Sequence, residues 1–263
     1  MEVLEFRVPV ENNKTLFVWN IDPSHSEAQI NDQLFDVFSA FGPLYLLKVS
    51  PNPPLHPPGC SALIKFYSAG HASTAQRLTD GHKMFQNSQL KVRLSSNQTP
   101  HFLYGSSRPL SHACCLELAN HCLGFNGWTS DIITLKELTN EEGEEGGVRR
   151  RRLKFGCLLQ LSFPQHRRMT RGGAVLEDSF TWTGPDVLLQ KRRRLQKSVR
   201  EAALVEAFSS VLLVLLGEGK VMVELKQTSD QFGPDQTEGV IQVNELPADK
   251  DEAEDEELIL TVS

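Results

Sequence analysis

No stretch of this 263-residue sequence approaches the roughly 18 to 20 consecutive apolar residues that a helix needs to cross a bilayer. The longest apolar cluster, Val211 to Leu216, has six, so no membrane partner is expected. Met1 to Val10 carries Glu2 and Glu5 where a signal peptide requires basic and then apolar residues, and secretion is not expected. Cysteine is scarce: five residues, an odd number without framework spacing, suit thiols in a reducing compartment. Cys114, Cys115, His121 and Cys122 crowd one stretch but lack a paired Cys-x-x-Cys. Cys114, Leu118 and Cys122 would share a helix face as small core hydrophobes do, so no metal is expected. A Gly-rich phosphate loop, a zinc-protease helix and a nucleophile elbow are all missing. The chain is therefore expected to be no enzyme and to need no cofactor.

A basic excess is also missing from the whole, with a net charge of −6, but that total conceals an uneven distribution. Residues 249–257 hold seven acids and one Lys. Residues 149–200 carry fourteen Lys or Arg, including Arg149–Arg152 and Lys191–Arg194, against three acids. A basic middle followed by an acidic tail is the asymmetry of a nucleic-acid binder. The tail reads either as a solvated terminus or as a competitor for the basic surface. With 40% hydrophobic and 23% charged residues, the length allows two modest domains, each with its own core.

Residues 1–99 form the first. Thr15 to Ile21 is a short, aromatic-rich apolar run ended by Asp22-Pro23 and reads as a strand. Ser24 with Glu27 suggests a capping box, and Ile30, Leu34, Val37, Phe38 and Phe41 follow at helical spacing until Gly42-Pro43. Leu44 to Ser50 and Ser61 to Tyr67 read as strands on either side of a stiff loop, Pro51–Gly59. A helix carrying Ala72, Ala75 and Leu78 and a strand at Leu90 to Leu94 complete a split βαβ order.

That order, with those residues, resembles the RNA-recognition motif. The ribonucleoprotein signature of the motif's first strand is matched in full by Leu16-Phe17-Val18-Trp19-Asn20-Ile21. Strand alternation sends Leu16 and Val18 inward and leaves Phe17 and Trp19 side by side on the open face. The resemblance implies that Phe17 stacks a base, and Trp19 stands beside it. The signature of the third strand is degraded: Ser61 and Leu63 occupy its stacking positions. Lys48, Lys65, Lys91 and Arg93 read as phosphate contacts around this face. With eight basic and eight acidic residues in 1–99, its binding should be weak and sequence-tolerant. An apolar patch of Leu63 beside Phe17 supports a rival reading, an interaction scaffold that binds a protein segment.

Residues 100–248 form a second α+β domain, read as a helix, a β-hairpin and a long helix, and 249–263 are an acidic tail. Ser111 to Leu123 is a helix stopped by Gly124, and Phe125-Asn126-Gly127-Trp128 is a tight turn, with Trp128 read as a core plug behind it. Asp131 to Leu138 suggests a strand and Glu141–Gly147 a solvated loop. Leu153, Phe155, Cys157, Leu159, Leu161 and Phe163 alternate strictly and mark a strand. Pro164 to Gly173 turns the chain, and Ala174 to Thr183 returns it. A helix from Asp186 to Leu216 places Leu195, Val199, Ala203, Ala207, Val211 and Leu215 on one side. Lys220 to Leu225 is a last strand.

Ala119-Asn120, followed by Gly124-Phe125-Asn126-Gly127-Trp128, resembles the Rad-fifty-two recombination mediators, with the likeness extending over about 110–216. The resemblance implies binding of single-stranded and duplex DNA, with RNA also open, in repair or recombination. In that family basic residues of the long helix line the DNA groove; the matching positions here are Ser209 and Ser210, which puts strand annealing in doubt. Basic side chains lie instead on the hairpin (Arg167, Arg168, Arg171) and at the helix start (Lys191, Arg192, Arg193, Arg194). They read as phosphate contacts. Arg149–Arg152 and Lys191–Arg194 also read as import signals, which points to a nuclear location, with the nucleolus open and a cytoplasmic pool. The family forms rings; for so short a chain a dimer is expected.

Overall fold

The structure, a computed structural model, describes residues 1–52, 58–85, 88–95, 108–145, 148–217 and 219–226. The polar stretch after Lys226, the acidic tail, residues 96–107 and the middle of the proline-rich loop (53–57) lie outside the described residues.

The chain opens with β1 (Glu2–Glu5), followed by β2 (Thr15–Ile21), α1 (Glu27–Ser39), β3 (Leu44–Pro51), β4 (Cys60–Phe66) and α2 (Ala69–Thr79). A small ribbon of β5 (Lys83–Phe85) and β6 (Ser88–Gln89), which the sequence did not announce, leads into β7 (Lys91–Leu94). One antiparallel sheet runs in the order β3-β4-β2-β7. This is the split βαβ, ferredoxin-like arrangement expected from the sequence. Leu16 and Val18 are fully buried with Ile30, Leu34, Phe38, Ile64, Ala72, Ala75 and Val92.

Two local expectations are corrected. The capping box belongs to Ser26 and Gln29, not to Ser24 and Glu27. The Ser24 N–H donates to Asp22 Oδ1 at 2.8 Å and its hydroxyl meets His25, so the helix starts two residues later. Leu78 is 56% exposed; Thr79 is buried in its place, its hydroxyl donating to the Ala75 carbonyl at 2.7 Å.

Beyond residue 108 the order is α3 (His112–Leu123), β8 (Thr129–Glu145), β9 (Val148–Phe163), β10 (Arg168–Thr181), α4 (Pro185–Ser209), β11 (Val211–Gly217) and β12 (Lys220–Leu225). The expected hairpin is thus part of a three-stranded antiparallel sheet, β10-β9-β8. All six alternating residues of β9 are buried beneath α4. Glu141–Glu145 is not loop but continues β8, because three of its four acids meet a base across the ladder: Glu141 lies opposite Arg152, Glu142 opposite Arg151 and Glu144 opposite Arg149. The turn expected over Pro164 to Gly173 is only a 3-10 turn, Pro164–His166, closed by Arg167 in the left-handed region at φ 51°. On α3 the buried residues are Cys115, Leu118 and Ala119, while Cys114 and Cys122 are half-buried, so the core face is rotated by one residue from the expected one.

The long helix ends at Ser209, and Val211–Gly217 is a strand. Its apolar run is wetted on neither edge: β1 pairs with one side, Glu2 opposite Leu215 and Glu5 opposite Leu212, and β12 with the other. Leu4 and Phe6 are thereby buried in the second core, and the Phe6 ring stacks on Phe208 with centroids 4.5 Å apart. The Glu2 carboxylate meanwhile caps α2, accepting from the Ser68 hydroxyl and from the Ala69 N–H at 2.8 Å. Met1–Leu225 is accordingly one compact unit.

Candidate nucleic-acid interface

The helices α1 and α2 cover one face of the four-stranded sheet, and among the described residues the other face is open. Register fixes what that face presents. Lys48 of β3 lies opposite Leu63 of β4, Leu63 opposite Phe17 of β2, and Phe17 opposite Arg93 of β7. In the neighbouring row Trp19 lies opposite Lys91. The Phe17 and Trp19 rings are 5.6 Å apart at 28°, and the Arg93 guanidinium stands 6.0 Å from the Trp19 ring. Phe17 is 43% exposed, Trp19 half-buried, and Lys48, Lys91 and Arg93 are exposed. Two stacked rings with cations on both flanks make an aromatic, basic face whose chemistry suits base stacking and phosphate neutralisation.

Asn20, at φ 64°, closes this row with a bulge, and its amide Nδ2 donates to the Gln89 carbonyl at 2.8 Å. Lys65 departs from the expected surface position. It is buried on the same face opposite Thr15, and burial lowers its ammonium pKa against the opposing pull of Glu11.

In the second body the structure separates the basic residues into committed and uncommitted groups. Arg168 donates twice to Glu224 at 2.9 and 3.1 Å. Lys191 reaches Asp178 at 3.1 Å, and Arg192 reaches Glu137 at 2.7 Å. Arg151 joins Glu142 at 2.8 Å and Asn140 at 2.6 Å and lies 4.9 Å over Trp182. Arg152 pairs with Glu177 at 3.3 Å. Arg193 and Arg194 are exposed with no carboxylate partner among the described residues. Helical spacing extends their stripe to Lys197 and Arg200, two cations that the sequence reading passed over although the i, i+4 and i+7 offsets were visible. Lys197 makes only a 3.8 Å surface pair with Glu201. Arg167 and Arg171 are exposed at the β9–β10 end, with Arg171 on the sheet face opposite α4.

The Asn120…Trp128 sequence has a structural role. The Trp128 indole donates to Asn120 Oδ1 at 3.0 Å and packs edge-on against Phe208 at 5.4 Å, a plug in the core. A Cβ on Gly127 would stand 2.2 Å from the Leu123 carbonyl. Phe125 of the same turn is 85% exposed, an aromatic the sequence reading did not single out. Ser209 and Ser210 cap the helix end, Ser209 donating to Glu206 and Ser210 joining Thr170 at 2.9 Å. Burial pushes the Cys115 thiol up to about 12 and Cys122 up to about 11. Among the described residues no group of three His, Cys, Asp or Glu is arranged to hold a metal ion.

A family model described as the RDM1 DSRM domain matches residues 110–212. RAD52 motif-containing protein 1 of Danio rerio is 46% identical over 256 residues, covering 94% of this chain and 89% of that protein. The Gallus gallus protein of the same name is 41% identical over 265 residues, with 98% and 93% covered. The Homo sapiens protein is 36% identical over 252 residues, with 92% and 88% covered. Among solved structures, the RNA15 RRM is 26% identical, covers 32% of this chain and 91% of its own, and has a TM-score of 0.26. The Mip6 RRM3 domain is 20% identical, covers 34% and 100%, and has a TM-score of 0.28.

Proposed function

The chain belongs to the RAD52 motif-containing protein 1 family, and on that premise we propose that it binds nucleic acid on two surfaces in DNA repair or recombination, without turnover. The observation that carries this reading is the Phe17–Trp19 pair with Lys48, Lys91 and Arg93 around it. Bases of a single strand, DNA or RNA, stack there, and the sugar-phosphate chain follows the cations. Stacking discriminates little among bases, so binding is sequence-tolerant. The α4 stripe of Arg193, Arg194, Lys197 and Arg200 grips the phosphates of a duplex; its cations project from a rigid helix, and phosphate contacts carry no sequence information. The helix–three-strand–helix order of residues 112–209 suits this assignment, since double-stranded-RNA-binding motifs share it and read duplex shape rather than sequence. Exposed Phe125 offers a further stacking ring to a strand end.

Replacing Phe17 and Trp19 together with Ala tests the reading. Each lost stack is worth about 1–3 kcal/mol, so single-strand affinity measured by fluorescence anisotropy should fall at least about tenfold while duplex affinity changes little. Equal losses on both substrates contradict it. A rival reading, docking of a protein segment on the same face, is favoured by Leu63 beside exposed Phe17, with exposed Leu46 diagonal to Leu63 on β3; it predicts no oligonucleotide binding to this face at low salt. Self-association and a nuclear location, with Arg193 and Arg194 available to an import receptor, complete the proposal.

A further inference from the structure

Among the described residues, the three-stranded sheet β10-β9-β8 is covered by α4 on one face only. Its outer face is set by register. Reading from β10 through β9 to β8, successive rows are Met169–Ser162–Thr129, Arg171–Gln160–Asp131, Gly173–Leu158–Thr134, Val175–Gly156–Lys136, Glu177–Lys154–Thr139 and Ser179–Arg152–Glu141. The centre is apolar: Leu158 is 37%, Leu138 46% and Val175 54% exposed. The glycines make it flat. Leu138 lies over Gly156, its Cδ1 3.2 Å from where a Cβ would stand, and Leu158 leans over Gly173 at 3.9 Å. Arg171, Asp131, Glu177 and Lys154 stand toward the two ends of the face, and Lys136 stands at its β8 edge in a central row. An apolar centre with a charged rim is the anatomy of an interface, and a solvated sheet face would alternate to polar residues throughout.

The arrangement of that rim selects the occupant. Ala174, Cys157 and Leu135 form one row across the three strands, and a two-fold axis laid along it exchanges the rows on either side. The Gly173–Leu158–Thr134 row then meets the partner's Val175–Gly156–Lys136 row, so that Val175 faces the partner's Gly173, Leu158 faces the partner's Gly156 beside the Leu138 that lies over it, and Lys136 meets the partner's Thr134 at the β8 edge. Arg171 meets the partner's Glu177, and Lys154 lies diagonally across from the partner's Asp131. Unlike charges meet at both ends, as an isologous contact requires. Arg171 has no carboxylate partner among the described residues, while Glu177 keeps Arg152 on its other side.

We infer that this outer face is the surface through which two copies of the chain associate, sheet on sheet. The inference rests on the self-association reading above and gives it a place. From strand spacing and rise, the eleven positions from Met169 to Ser179 across three strands cover about 36 by 14 Å. Two copies would bury about 1,000 Å², the lower bound for a specific interface. The dimer is therefore expected to be weak, dissociating in the micromolar range, and it leaves both α4 stripes on its outer sides.

The test uses the full chain and its mass in solution by sedimentation velocity across a concentration series. Arg171→Glu and Glu177→Arg, each made alone, should weaken the dimer at least about tenfold by setting like charges face to face. Combined in one chain they should restore it, because the exchanged pair again meets unlike charges across the axis. Val175→Lys, which buries an unpaired charge at the centre, should give monomers, with circular dichroism checking that the sheet is intact. A wild-type chain that stays monomeric throughout overturns both this face and the self-association reading. A wild-type dimer indifferent to Val175→Lys, or not restored by the double exchange, overturns the face alone.

Discussion

The uncommitted cations make the salt dependence of binding calculable, because each phosphate neutralised releases counterions. On α4, Arg193, Arg194, Lys197 and Arg200 span seven helical steps, about 10 Å, roughly the axial length over which a duplex carries six charges. Four contacts predict that log affinity for duplex falls with log salt at a slope of about −3.6. A fourfold rise in salt then costs more than about a hundredfold in affinity. On the open sheet face Lys48, Lys91 and Arg93 give three contacts and a shallower slope of about −2 for single strands. Changing Arg193 and Arg194 to Gln should bring the duplex slope to about −1.8 and leave the single-strand slope as it was. Changing Lys191 and Arg192, already held by Asp178 and Glu137, should move neither slope, whatever it does to stability. Anisotropy titrations with labelled duplex and oligothymidine over about 0.05–0.2 M salt read all of these quantities. The reasoning is refuted if both slopes respond equally to the α4 changes, or if the Lys191 and Arg192 variant flattens the duplex slope as much as the Arg193 and Arg194 variant does.

Two stability predictions follow from close packing and from capping. Gly172 lies under α4, where an added Cβ would stand 2.3 Å from both the Ala203 carbonyl and the Ala207 nitrogen. Backbone atoms cannot step aside, so Gly172→Ala should destabilise by about 1–3 kcal/mol or more and lower the melting temperature by several degrees, whereas Gly173→Ala, whose nearest neighbours are at 3.9 Å, should change it little. The Glu2 carboxylate is pushed up by burial, but hydrogen bonds from Ser68, Ala69 and Gly70 outweigh that and leave its pKa lowered. A lowered acid adds stability above its unfolded value of about 4.3 and loses it as pH falls through the folded value. Glu2→Gln should therefore cost about 1 kcal/mol in urea unfolding at neutral pH, and the gap to wild type should close below pH about 4; a gap that persists there contradicts the capping role.

What the sequence disclosed and what it hid divide along physical lines. β9 was legible because burial of one face alone forces period-two alternation, and Leu153 to Phe163 keeps it without a break. The first body was legible because Leu16 to Ile21 and the α1 face each carry a complete local pattern. The end of α4 was not. Val211 and Leu215 continue the helical spacing of Val199, Ala203 and Ala207, so a helix and a strand fit the same letters. The strand is decided by partners on both edges, Lys220–Leu225 from the next segment and Glu2–Glu5 from the far end of the chain, and no window of neighbouring residues contains the second of these. The acidic half of β8 was hidden for the same reason: Glu141 to Glu145 looks solvated until Arg149–Arg152 is laid beside it.

That last pairing also changes what the basic segment means for binding. Fourteen cations between residues 149 and 200 suggest one continuous field, but a nucleic acid meets only charge that the fold leaves unanswered. Arg151, Arg152, Arg168, Lys191 and Arg192 are each answered by a carboxylate, and the Glu141–Glu144 strand sets three acids along the Arg149–Arg152 strand. The ribbon is thus a mixed-charge surface. The helix stripe keeps its field because Arg193, Arg194, Lys197 and Arg200 turn away from the sheet that holds the acids. Two runs of equal basicity in the sequence therefore have unequal consequences: neutralising the helix run should abolish most duplex binding, and neutralising the strand run should chiefly loosen the ladder between β8 and β9.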